Sequence, residues 1–231
     1  MLIAEEYLLL SLDDESGKPR IGRDRLEPAL GGALVVELAL RERIGVTPHE
    51  AGWTKRGRVT INDLTPTDDR ELDAALHKLA ENEGRKLKDL LSSTAMRKNR
   101  LSHGVRDRLL DRLAAAGMLV RSEGTVLGFI PRTTWPAGDP AAEDDVRRRL
   151  QSALIGGATP TEWTVALIAL LQVTGLLVKV VSTEDKKALK ARVKELTEGD
   201  WAAKAVKDAI DEAASAATMG AAAGGGGAGA G

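Results

Sequence analysis

The apolar pattern is most continuous at Leu30–Val46, where every position from Ala33 to Leu40 except Glu37 is apolar. Plotted as a helix, the apolar side wraps nearly the whole way round, which predicts burial on most of its surface. Gly31 and Gly32 at its start allow close backbone approach, and Pro28 suits its first turn. Glu37 and Arg41 stand four apart, a favourable helical ion-pair spacing. Glu37 therefore reads as a satisfied core carboxylate rather than a catalytic one.

Around this stretch the same pattern predicts a largely helical chain. Ala4–Leu12 is apolar and too short for periodicity to separate helix from strand. Asp13–Lys18 reads as a turn. Ile44–Val46 and Arg58–Asn62 read as a short hairpin. Thr65–Asp68 reads as the start of a helix carrying Leu72, Leu76 and Leu79 on one side. A short helix at Lys86–Ser92 follows Gly84. Arg97–Ala116 places Leu101, Val105, Leu109, Leu110 and Leu113 at helical spacing, and Gly117 ends it. Met118–Val120 and Thr125–Ile130 read as a second hairpin turning through Arg121–Gly124. Pro131, Pro136 and Pro140 mark a loop. Glu143–Leu154, Trp163–Leu171, Lys186–Leu196 and Trp201–Ala214 read as helices. Glu162 stands where a capping box takes an acid. The expected organisation is one domain over 1–212, a helical core with short peripheral hairpins, followed by an Ala/Gly-rich disordered tail at 213–231.

Composition narrows the chemistry. The 231 residues are 43% hydrophobic but only 3% aromatic, so the core is aliphatic. The formal net charge is −1, so anion binding requires local clustering. The absence of cysteine excludes disulfides and thiol chemistry. His49, His77 and His103 show no metal-ligand spacing. Met1–Leu12 does not read as a signal peptide, and Trp163–Val178 is too short for a comfortable membrane span. A soluble protein of a reducing compartment is expected. Nucleotide, nucleophile-elbow and zinc motifs are absent. The acidic pairs at Asp13-Asp14, Asp68-Asp69 and Asp144-Asp145 lie beside turns or helix starts, where acids favour the helix dipole. Neither enzyme, metal nor cofactor is expected.

Candidate chemistry concentrates after residue 96. Arg97, Lys98, Arg100, His103, Arg106, Arg108 and Arg112 crowd one helix, opposed by Asp107 and Asp111. On a helix, His103 and Arg106 are three apart and converge on one anion. The following hairpin carries apolar Leu119, Val126, Leu127, Phe129 and Ile130. A cation cluster beside an apolar hairpin suits a two-signal membrane contact. It equally suits a reading helix followed by a wing on nucleic acid, although the near-neutral charge makes nucleic acid the less expected partner. A third reading is a scaffold that oligomerises through the 118–130 hairpin.

At this point the chain resembles the Golgi phosphoprotein 3 family, in a bacterial, actinobacterial version. The resemblance rests on Glu5–Leu10, on Glu37–Arg41 with Arg43 and Ile44, on Val105–Leu109 running into Gly117–Leu119, and on Arg147–Leu150 and Ala166–Leu171. It implies a mainly helical domain that binds phosphatidylinositol 4-phosphate on a basic face, with the hairpin used for membrane insertion or self-association. It also implies an adaptor role toward membrane-associated enzymes. Of the family's phosphate-pocket positions, one arginine is matched by Arg106. The others fall on His103, on Gly31 and, for a tryptophan, near Gly22. Arg23 and Arg25 are neighbouring substitutes, and Arg100 adds to the face. The resulting expectation is a cytoplasmic protein that binds anionic phospholipids at the inner face of a membrane. An arginine placed at Gly31 is expected to raise headgroup affinity.

Overall fold

Two helices meet through one carboxylate at the centre of the molecule. A computed structural model describes residues 1–47, 56–92, 100–126 and 129–198, with Ala209, Glu212, Ala213 and Ser215 beyond them. Helix α1 (Ile3–Ser11) is buried along almost its whole length, from Ile3 and Ala4 to Leu10. Helix α2 (Arg23–Leu40) is buried from Leu26 onward, apart from Glu27 and the final Leu40. Glu37, only 1% exposed, accepts the Ile3 amide on Oε2 at 2.8 Å and the Arg41 guanidinium on Oε1 at 2.7 Å. The first amides of a helix have no partner within it. Glu37 supplies one for α1, and Glu5 supplies the Leu2 amide with another at 2.7 Å. Glu37 is thus the structural carboxylate its surroundings predict, and the capped amides resolve Ala4–Leu12 as helix.

Further helices pack on this pair. Helix α7 (Glu162–Val173) lies against both α1 and α2, and α9 (Lys186–Glu198) covers α7. Helices α3 (Arg70–Ala80) and α4 (Leu87–Leu91) pack on α2, while α5 (Val105–Ala115) crosses α1 and α2. Helix α6 (Ala141–Leu154) rests on α1 and α7, and a single turn, α8 (Leu177–Val180), follows α7. Strands β1 (Ile44–Val46) and β2 (Val59–Ile61) pair antiparallel, with Gly45 opposite Thr60. The architecture is mainly α with small antiparallel hairpins, as the pattern predicts.

Several boundaries differ from expectation. Helix α2 starts at Arg23, so Pro28 lies in its second turn, and the helix stops at Leu40 before Glu42 takes a positive φ of 57°. The α3 cap is Asp69, whose carboxylate accepts from the Glu71 and Leu72 amides at 2.9 and 3.3 Å. The α7 cap is Thr161, accepting from the Thr164 amide, so Glu162 is the first helical residue rather than the box acid. Helix α5 begins only at Val105, because Gly104 ahead of it sits at φ 71° and interrupts any helix from upstream.

The second hairpin is the largest change. Strand β3 (Ser122–Val126) pairs with β4 (Ile130–Thr134), Gly124 opposite Arg132. The expected turn at Arg121–Gly124 therefore lies mostly within a strand, and Pro131 is in a strand rather than a loop. A two-stranded ribbon consists of edges, where proline is tolerated. Of the expected helix at Trp201–Ala214 and tail at 213–231, most lies outside the described residues. Ala213 itself is buried, and a Cβ at Gly32 would stand 2.5 Å from its side chain, so the packed core extends to this residue.

Candidate anion-binding face, hairpin and cleft

Of the seven residues in the cation cluster expected on one helix, Arg108 and Arg112 are spent on holding the fold together. Arg108 Nε donates to both Glu71 oxygens at 2.9 and 3.0 Å. Arg112 joins Glu5 at 2.7 Å and Asp69 at 2.8 Å, tying α5 to α1 and to the α3 cap. Burial pushes the Asp69 carboxyl up, but the Arg112 hydrogen bond and the two capping amides outweigh it and hold it below the usual range. Arg97 and Lys98 lie outside the described residues. A reading helix needs its cations facing outward, so these pairs count against the nucleic-acid reading.

The remaining cations form a face where the start of α2 meets the start of α5. Glu27 sits between Arg23, at 2.5 Å, and Arg100, at 3.5 Å. Its hydrogen bond and charge raise the Arg23 pKa, with a further contribution from Asp107 of α5. Arg106 is 22% exposed and lies 3.9 Å from Asp107. Gly22, the α2 cap, is exposed along with Arg23 and Arg25. The structure thus brings Arg23, Arg100 and Arg106 to one region, and Glu27 and Asp107 offset much of their charge.

Two expected pocket positions fall elsewhere. Gly31 is buried, and a Cβ there would stand 3.0 Å from Leu91 Cδ2 and 3.3 Å from Ser102 Cβ. Even the first side-chain carbon of an arginine at 31 crowds Leu91 and Ser102, which counts against the expected gain in affinity. His103 lies on the turn before Gly104, so the helical spacing that would pair it with Arg106 does not apply. It lines instead a cleft of about 330 Å³ between α3 and α5, with Arg70, Glu71, Lys78 and Arg108. Sequence reading missed Arg70 and Lys78 as site residues. The available signal was two cations eight apart on α3, with Ala74 and Ala75 between them.

Among the described residues of the hairpin, Val120 at the base and Phe129 at the tip are exposed apolar groups. Phe129 follows β3 at the tip and is 74% exposed. Leu119 is buried, bridged to Ala137 at the hairpin base, so it belongs to the core rather than to a membrane or self-association surface. Leu127 and the side chains of Val126 and Ile130 lie outside the described residues. The base is anchored by Trp135, whose amide donates to Gly17 at 3.2 Å, while Arg121 stacks over the Trp135 ring at 5.8 Å. The Arg face and the hairpin base lie at opposite ends of α5, roughly 16 Å apart along its axis.

Among the described residues no group of His, Asp and Glu is placed to hold a metal ion, and no helix is long and apolar enough to cross a membrane. The fold and site define a helical domain with an arginine-bearing face and a hairpin that exposes Phe129 at its tip. The chain belongs to the Golgi phosphoprotein 3 family, whose model matches residues 3–213. It is similar to the vacuolar protein sorting-associated protein 74 of Eremothecium gossypii, 27% identical over 208 residues. That match covers 80% of this chain and 62% of the relative, so the chain spans about three fifths of the relative it matches.

Proposed function

We propose that this chain is a non-enzymatic membrane-binding domain that engages anionic phospholipid headgroups at the inner face of a bacterial membrane. The exposure of Phe129 at the tip of an otherwise anchored hairpin carries this reading. Burying a side chain of this size contributes about 1.5–3 kcal/mol, and each Lys or Arg near an anionic surface adds about 1 kcal/mol. With Glu27 and Asp107 offsetting the arginines, Phe129 is the larger single contribution. Arg23, Arg25, Arg100 and Arg106 provide the second signal, which stable anchoring requires. Phosphatidylinositol 4-phosphate is the family's headgroup. Here the face offers one matched arginine and neighbouring substitutes, so a less selective preference for anionic lipid fits these residues better. Recruitment of membrane-associated enzymes, with the domain as adaptor, and self-association through the hairpin complete the proposal.

Sedimentation with phosphatidylglycerol, cardiolipin and phosphoinositide vesicles tests it. Binding that weakens with salt, with Phe129→Asp and with Arg106→Glu is expected. No binding to any anionic vesicle at low salt overturns it. Light scattering of Phe129→Asp reports separately on self-association.

A further inference from the structure

The cleft between α3 and α5 is a concave site that the membrane-facing reading does not use. Arg70, Ala74 and Lys78 are spaced four apart and share one face of α3. The small Ala74 leaves the middle of that wall open. Arg70 and Lys78 bracket it, roughly 12 Å apart along the axis, a span that their long side chains can close from both ends. Arg108 and His103 form the opposite wall, and Leu34, Leu101 and Val105 supply apolar surface.

The charge in this cleft is unbalanced. Glu71 is the carboxylate in its lining, and both its oxygens are taken by Arg108. Arg112 also acts on Glu71 through its charge. Among the described residues neither Arg70 nor Lys78 forms an ion pair, although Glu81 acts on Lys78 at longer range. Burial, with the charge of Arg108, holds the Lys78 ammonium below the usual lysine range despite Glu81. An anion in the cleft relieves that repulsion.

We propose that the α3–α5 cleft binds a phosphate monoester, its dianion held between Arg70, Lys78 and Arg108 and its organic part lying over Ala74. Two cations without carboxylate partners match a doubly charged group better than a single carboxylate. Guanidinium and ammonium donors form charge-assisted bonds to phosphate oxygens. The cleft volume of about 330 Å³ admits a small phosphorylated molecule or the headgroup of a monoester lipid.

Two probes separate these sources: glycerol 3-phosphate by titration calorimetry, and phosphatidic acid vesicles by sedimentation, with phosphatidylglycerol vesicles as the diester control. Ala74→Leu fills the cleft from a solvent-exposed helix position and leaves every charge in place. Lys78→Gln removes one cation. Each is expected to weaken the monoester probe about tenfold or more, with folding checked by circular dichroism. Arg106→Glu, which tests the membrane reading, is expected to change glycerol 3-phosphate binding by less than about twofold. Loss of vesicle binding in Arg106→Glu or Phe129→Asp with glycerol 3-phosphate binding intact supports both sites as separate. Failure of both monoester probes to bind, or binding that Ala74→Leu leaves unchanged, overturns the cleft proposal whatever the vesicle results for the arginine face.

Discussion

The two ends of α2 carry the same device to opposite effect. Each has an arginine and a glutamate four apart: Arg23 with Glu27 at the start, Glu37 with Arg41 at the finish. At the finish the carboxylate is 1% exposed and also accepts the first amide of α1, so the pair belongs to the core. At the start the Arg23 side chain is 67% exposed, and Glu27 is shared with Arg100. A pair in water is worth ~0–1 kcal/mol, whereas stripping a partner from a buried one costs several times that. Spacing alone does not distinguish these cases. What lies across the helix does: α1 over Glu37, and solvent over Arg23.

The strongest test of this contrast lies between the two ends. Gly31→Arg inserts a guanidinium against Leu91 and Ser102 in the core. It is expected to destabilise the fold by about 3 kcal/mol or more, read by urea denaturation. Near-native stability with increased headgroup binding would show that this part of α2 can open.

Glu37→Ala comes next. It leaves the Ile3 amide without a partner and is expected to cost about 2–3 kcal/mol, less than a fully buried pair because Arg41 keeps access to water. A loss below about 0.5 kcal/mol would place Glu37 among the surface pairs.

Phe129→Asp is expected to leave stability within about 0.5 kcal/mol while reducing vesicle binding by about tenfold or more, the equivalent of burying one large apolar side chain. Unchanged sedimentation would remove the hairpin from the contact.

Glu27→Gln is the subtlest test. It frees Arg23 and Arg100 from their shared acid and is expected to strengthen binding to anionic vesicles several-fold, at ~1 kcal/mol per cation. Stability should hardly move. Weaker binding would mean that Glu27 positions the two arginines rather than masking them.

Helices were legible in the sequence wherever burial enforced a period. The apolar run on α2, the leucines of α3 and the leucines of α5 all lie where their spacing places them. The site was less legible because charge is a poor guide to exposure. Arg108 and Arg112 read as part of one cation cluster, yet each crosses to an acid from another element, Glu71 for one and Glu5 with Asp69 for the other. Pairing His103 with Arg106 requires a continuous helix, and the left-handed Gly104 between them breaks it. Local turn propensity places the hairpin turn at Arg121–Gly124, residues that lie mostly within β3. The observed pairing is closed at its base by the Leu119–Ala137 bridge and the Trp135–Gly17 hydrogen bond, contacts distant along the chain.

The sequence by itself thus determined a mainly helical chain, the buried course of α2 and a structural role for Glu37, because apolar periodicity records which side of an element meets the core. The tertiary structure alone decided which cations are consumed in ion pairs, where the second hairpin turns and that α3 and α5 enclose a cationic cleft. Those outcomes depend on which residues face each other across different elements, and a one-dimensional pattern contains no information about the opposing partner.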